Sequence, residues 1–271
     1  MAVTTFPTIP RLCSLVDLQI HQVALKNFHY HTTAVFPYNL LIATLDAKGG
    51  ADDYLMNTIT GEKTHLRAGY AYILPCHVPI QFERTPAFTV VTIRFNLTFF
   101  YALDIFHGSE RIGTVRAPEF VSFLKNTVCS SSQVDLVKTA TRLKTEIMGL
   151  CLSCWPDHVD QPDPRMWKYE KILLYVRMHG DANLTVDQLA RQCGMRQDVF
   201  SRSFSRDLGR SPSQYIADFL VQKISTYLLT SRLSLKEIAQ KLNFSSEYYL
   251  SRFFKKHTKL SPRDFKKQFF G

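Results

Sequence analysis

Two textures of apolar residues divide the chain. Between Tyr38 and Leu97 they gather in short runs, YNLLIATL (38–45), DYLMNTI (53–59), YAYILP (70–75) and FTVVTIRFNL (88–97), rich in β-branched and aromatic residues. The segments KGGAD, TGEK, LRAG and ERTPA break them. Short, closely spaced runs of this kind predict strands over about residues 20–100, closed as an antiparallel barrel or sandwich. From Pro118 to Cys154 the period changes. Leu136, Ala140, Leu143, Ile147 and Leu150 recur at spacings of three and four, which predicts an amphipathic helix from Val134 to Leu150. A weaker helix is expected from Glu119 to Val128, with serines 130–132 as the turn. The narrow stripe leaves two roles open: pairing with a second copy of the chain, or covering the barrel.

The segment WPDHVDQPDPR (155–165) has no hydrophobic period, and its prolines forbid a continuing helix. It predicts three parts: a regulatory or dimerisation domain over 1–155, a linker at 156–165 and a second domain at 166–271. Charge divides at the same place. Residues 166–271 carry 19 Lys and Arg against 9 Asp and Glu, whereas residues 1–165 carry 14 of each. The formal charge of +10 therefore belongs wholly to the second part, as expected of a domain built for a polyanion. A length of 271 residues suits two cores, and 45% hydrophobic with 21% charged residues is ordinary globular composition. No run of eighteen apolar residues and no secretory leader pattern is visible, so a cytoplasmic protein without a membrane span is expected. The six scattered cysteines suit a reducing compartment.

Downstream of the linker the sequence repeats itself. LTVDQLARQCGM (184–195) returns as LSLKEIAQKLNF (233–244) at an offset of 49, and FSRSFSRDLGRSP (200–212) returns as LSRFFKKHTKLSP (250–262) at an offset of 50. Thr185 with Gln188 and Ser234 with Glu237 have capping-box spacing. Ser211-Pro212 and Ser261-Pro262 place a cap before proline at the first helical position. Ala190 and Ala239 allow close helix crossing. Each copy therefore reads as a helix-turn-helix unit, over about 184–206 and 233–256.

These residues resemble the DNA-binding domain of AraC-type transcription regulators. The resemblance rests on L-T-x-x-Q-L-A-x-x-x-G-M, F-S-R-x-F and G-x-S-P-x-x-Y-I (209–216) in the first copy. In the second it rests on L-S-L-K-E-I-A-x-x-x-x-F-S-S, Y-L-S-R-x-F-K-K and L-S-P-x-x-F. Upstream, L-R-A-G-Y-A-Y-I-L-P (66–75) is similar to a turn and strand of the cupin-like barrels that precede such domains. The resemblance implies an α+β two-domain protein: a cupin-like antiparallel barrel with helices after it, then an all-α domain of seven helices. Its third and sixth helices would enter successive major grooves. It also implies a bacterial activator with RNA polymerase as a partner, and a homodimer or a small-molecule or protein effector acting at the barrel. Three positions depart from the family pattern: Arg196 where serine usually caps the first recognition helix, Leu220 and Ile224 in place of arginine and alanine, and Asn243 in place of glycine.

Helical spacing assigns candidate contacts to double-stranded DNA. Asp198, Ser201, Arg202 and Ser205 share one face, as do Tyr248, Ser251 and Arg252, with Lys255 beside them. Arg202 and Arg252 are matched, and each suits guanine O6 and N7. Asp198 suits either a cytosine N4 or the helix dipole. Val199, Phe200 and Phe204, and Tyr249, Leu250 and Phe254, are expected inward. Arg196, Lys255, Lys256, Lys266 and Lys267 are expected at phosphates, where they add salt-dependent affinity without sequence information.

Other chemistry finds little support. His29 and His31 have a metal-cupin spacing, but residues 32–45 contain no acid to complete the set, and His77 stands alone. Cys151 and Cys154 form a single pair without a redox context. No phosphate loop, nucleophile elbow or carboxylate pair is present. No cofactor, metal or catalytic residue is expected. The alternatives are an architectural DNA binder indifferent to sequence, and an enzyme with a catalytic barrel.

Overall fold

The computed structural model describes residues 16–27, 29–47, 53–99, 103–106, 108–128, 135–154 and 168–270. The chain forms two compact units. Among the described residues, one holds 18–97 and 105–154 and the other 168–270, with 16–17, 98–99 and 103–104 assigned to the latter. The linker expected at 156–165 and the serine turn at 130–132 lie outside the described residues.

Among the described residues, those up to Arg116 form antiparallel strands. They are β1 (Val16–Lys26), β2 (Tyr30–Ala34), β3 (Asn39–Ala47), β4 (Tyr54–Asn57), β5 (Lys63–His65), β6 (Tyr70–Leu74), β7 (Ile80–Arg84), β8 (Phe88–Phe99), β9 (Leu103–Asp104) and β10 (Gly113–Arg116). One sheet runs β1-β8-β3-β6-β10 with β9 on β8, and the other runs β2-β7-β4-β5. The four apolar runs became β3, β4, β6 and β8. Strands also extend earlier than residue 20 and, through β9 and β10, beyond residue 100.

Burial explains why the runs in the first sheet lack alternation. Leu40 and Ile42 of β3 face an internal cavity, as do Thr92 and Arg94 of β8. The intervening Leu41, Ala43, Val91 and Ile93 are buried as well. Helix α1 (Pro118–Val128) packs over β3 and β6, so strands beneath it are apolar on both faces. Lys125 of α1 pairs with Asp46 at the end of β3, 3.0 Å away.

Helix α2 (Leu136–Ser153) is opened by Asp135, whose carboxylate accepts from the Lys138 amide. Its apolar stripe splits in two. Ile147 and Leu150 are buried within the single chain, so the stripe does not stand free as a dimer seam over its whole length. Leu136 and Ala140 are exposed and Leu143 is half-buried. Arg142 lies 4.5 Å from the Phe123 ring and ties α2 to α1.

Among its described residues the C-terminal unit contains seven helices: α3 (Glu170–His179), α4 (Val186–Gln192), α5 (Gln197–Leu208), α6 (Pro212–Thr230), α7 (Leu235–Lys241), α8 (Glu247–Thr258) and α9 (Pro262–Phe270). Helices α4 and α5 form the first helix-turn-helix unit and α7 and α8 the second, with α6 between them. The first core is aromatic: Phe204 has ring contacts to Tyr169, Phe200 and Tyr215, at 5.0, 5.4 and 5.9 Å. The matching Phe254 of the second meets Phe265 at 5.2 Å. Leu220 and Ile224 of α6 are buried in the core. No helix among the described residues is long and apolar enough to cross a membrane.

Candidate DNA-binding interface

Both scaffold helices begin as their residues predict. The Thr185 hydroxyl accepts from the Gln188 amide while the Gln188 side chain accepts from the Thr185 amide, and Ser234 and Glu237 repeat the exchange. Ala190 and Ala239 are buried against the recognition helices α5 and α8. Each turn then needs a left-handed residue: Gly194, φ +63°, in the first unit and Asn243, φ +55°, in the second. Asparagine tolerates this backbone. Its Nδ2 donates to the Asp181 carboxylate at 2.7 Å, and the Ala182 amide donates to Leu242 O at 2.9 Å. The segment leading into the first unit is thereby bonded to the turn of the second.

The same segment meets α6 closely. A Cβ on Gly180 would lie 2.3 Å from Phe219 Cε1, and Gly180 O accepts from Lys223 Nζ at 3.2 Å. Gly180 permits the approach that joins the two units through one strut.

The recognition helices present nearly the same surface. Asp198, Arg202, Tyr248 and Arg252 are exposed, and Ser201, Ser205 and Ser251 are half-buried on the same faces. Phe200, Phe204, Leu250 and Phe254 are buried as expected. Val199 and Tyr249 correct the expectation. They are 43% and 51% exposed, because in the first turn of a helix no preceding turn covers the third position. The hydroxyls of Ser205 and Ser251 donate to the carbonyls of Ser201 and Glu247, at 2.7 and 2.8 Å, which leaves their lone pairs outward as acceptors.

Electrostatics separates the two helices. Arg196 opens α5 without a side-chain cap, whereas Ser246 opens α8 with its Oγ accepting from the Tyr249 amide at 3.1 Å. Asp198 lies between two arginines, 3.3 Å from Arg196 Nε and 3.1 Å from Arg202 Nη2. Arg252 instead sits 5.9 Å from the centroid of the Tyr248 ring. Of the expected phosphate-binding groups, Arg196, Lys255, Lys256 and Lys267 are exposed and Lys266 is half-buried.

In the last turn of α5 the buried carboxylate of Asp207 accepts from Tyr169 Oη at 2.9 Å, from Arg206 Nε at 3.0 Å and from Lys168 Nζ. Burial alone would raise its pKa. The donors from Lys168, Arg206 and Tyr169 outweigh burial and hold the carboxyl well below the usual carboxylate range. In the second unit the matching position is His257, whose ring lies tilted by 45° to that of Phe253 with centroids 4.6 Å apart.

The N-terminal unit holds a feature invisible in any local pattern. A cavity of about 30 Å³ is lined by residues of both sheets, among them Phe36, Leu40, Ile42, Leu55 and Phe82. Lys26, Arg84 and Arg94 also reach it, from β1, β7 and β8. Burial, and then the neighbouring Arg94 and Arg84, lower the Lys26 pKa to about 8. Lys26 of β1 is far in sequence from Arg84 and Arg94 on the consecutive strands β7 and β8; only a charge inside an otherwise apolar run, as at Arg94, hinted at them. No group of three His, Cys, Asp or Glu that could hold a metal occurs among the described residues. His31 Nδ1 is bonded to Glu83 across β2 and β7. Cys151 is buried, and burial raises the Cys154 thiol pKa.

Comparison with known proteins agrees with this geometry. A family described as a helix-turn-helix domain matches residues 189–268. The transcriptional regulator AlkR of Acinetobacter baylyi is 28% identical over 127 residues, 44% of this chain and 42% of that protein. The transcriptional activator Btr of Bacillus subtilis is 30% identical over 122 residues, 45% of this chain and 22% of that protein. The chain thus spans less than half the length of these relatives. Among solved structures, ToxT of Vibrio cholerae superposes with a TM-score of 0.58 at 10% identity, over 94% of this chain and 99% of that one. ToxT with an unsaturated fatty acid bound superposes with a TM-score of 0.54 at 13% identity, covering 93% and 96% of the two chains. At such identity the likeness concerns the fold, a β-sheet unit followed by a helical one. By its tandem repeat, its helices and these likenesses, the C-terminal part of the chain, residues 189–268, is a helix-turn-helix domain similar to those of the transcriptional regulators AlkR and Btr.

Proposed function

We propose that the chain is a sequence-specific DNA-binding transcription regulator whose N-terminal unit responds to a small anionic effector. The observation that carries the DNA reading is the paired exposure on α5 and α8, where matched arginines stand on matched faces of one basic domain. The strut between them, α6, has 19 residues. At ~1.5 Å per residue it is about 28 Å long. Successive major-groove faces lie about 34 Å apart, so engagement of both helices on one side bends the duplex toward the protein. A circular-permutation gel should show that bend, and an unbent complex contradicts it.

Random-sequence selection with the full chain, followed by footprinting, tests the reading itself. Arg252→Ala should relax preference at one base pair by roughly 1–3 kcal/mol. Lys256→Ala should weaken all sites alike and lower the salt dependence by about one ion's worth. No selected site, or identical effects of the two variants, argues for an architectural binder instead.

The cavity supports the effector reading. Three cations reach an apolar chamber, an environment suited to a carboxylate with an aliphatic or aromatic body. The fatty acid bound to ToxT, a protein of like fold, is in keeping with it. A volume of about 30 Å³ admits only a headgroup, so a larger ligand must displace apolar lining such as Phe36 or Phe82. Anion binding should fall as pH rises through about 8, because Lys26 loses its charge there. Calorimetric titration with short aliphatic carboxylates at pH 7 and pH 9 checks this; affinity that is equal at both removes Lys26 from the site.

A further inference from the structure

We infer that Asp198 is a positioning residue that fixes Arg202 for guanine, giving the first unit a sharper base preference than the second. The inference rests on the DNA-reading role proposed above. Arg202 Nε donates to the Asp198 backbone carbonyl at 3.4 Å, and Arg202 Nη2 donates to the Asp198 carboxylate at 3.1 Å. A guanidinium has five N–H groups in a rigid plane. Those two bonds occupy the Nε edge. The Nη1–Nη2 end stays open, and its two parallel N–H groups match guanine O6 and N7. The other carboxylate oxygen of Asp198 is held 3.3 Å from Arg196 Nε, so the brace is itself anchored at the helix start.

The pair is exposed, with side-chain accessibilities of 77% for Arg202 and 52% for Asp198, and it contributes little to the fold. Its value arises on DNA, where the groove excludes water and a guanidinium already in place loses less freedom on docking. An aspartate there also repels phosphate. Asp198 therefore favours the right base while disfavouring DNA in general.

The second unit lacks the brace. Tyr248 occupies the position matching Asp198, and Arg252 rests beside its ring, which directs no single N–H edge outward. Arg252 is expected to read more loosely.

The test compares full-length variants on the selected site. Arg202→Ala first identifies the base pair that Arg202 reads. Asp198→Ala should cut guanine discrimination at that pair roughly tenfold while raising affinity for random DNA, opposite signs that a merely structural residue would not produce. Asp198→Glu should retain most of the discrimination, and Tyr248→Asp should sharpen the base pair read by Arg252. Full discrimination in Asp198→Ala overturns this inference and leaves the DNA reading standing. Failure of the parent chain to select any site overturns both.

Discussion

The two helix-turn-helix units are copies in sequence and unequal in construction. The first spends its polar chemistry inward and along its own surface: Asp207 gathers Tyr169, Arg206 and Lys168, and Asp198 gathers Arg196 and Arg202. The second keeps a capped recognition helix and exposed Lys255 and Lys256, and carries non-glycine residues where the first has glycine. Gly194 and Gly209 take positive φ in the first; Asn243 and Lys259 do so in the second. One repeat can thus keep its backbone and diverge in how rigidly it holds the exposed residues of its second helix.

The largest effect expected from breaking this contrast lies in the core. Phe204→Ala should destabilise by roughly 3–5 kcal/mol, at the upper end of that range, and Phe254→Ala nearer the lower end, because Phe204 meets three rings. Hydrogen exchange of α5 and α8 amides in the full chain measures both, and equal costs contradict the inequality.

Asp207→Asn comes next, at about 1–3 kcal/mol, because the buried Tyr169 hydroxyl loses a charged acceptor while Lys168 and Arg206 can turn to solvent. The sign with pH follows from the depressed pKa. The parent's extra stability is present above the ordinary carboxylate value of 3.8 and is lost as pH falls below it. Acid unfolding of Asp207→Asn should therefore be flatter in that window, and parallel curves contradict the assignment.

Caps give a smaller effect with opposite directions in the two units. Ser246→Ala should cost about 1 kcal/mol, and Arg196→Ser should gain up to that amount by supplying the missing cap. Both appear as changed protection in the first turns of α5 and α8. Lys259→Gly relieves a left-handed lysine and should stabilise by up to about 1 kcal/mol. No gain in thermal midpoint would mean that this backbone is not strained.

What the residues disclosed follows the range of the interactions that hold them. Capping boxes and the turns after them are settled within a few residues, so α4 and α7 were legible along with the repeat. Strands such as β1, VDLQIHQVALK, and β7, IQFER, carry polar residues whose place is fixed only by partners across a sheet, so they were not. The cavity cations share that fate. Val199 and Tyr249 were misassigned because helical spacing describes a continuous cylinder, whereas a first turn has an open end. The stripe of Leu136, Ala140, Leu143, Ile147 and Leu150 left two roles open because an apolar face does not say what covers it; Ile147 and Leu150 are buried within the chain itself.

The measurement that bears most directly on the account is footprinting of the full chain and of Arg202→Ala and Arg252→Ala on one selected site. Two protected segments about one helical turn apart are predicted. Arg202→Ala should relax a guanine in one segment sharply, and Arg252→Ala should relax the other more weakly. A single protected segment, or both variants altering the same base pair, would contradict a DNA reader built from two unequal units.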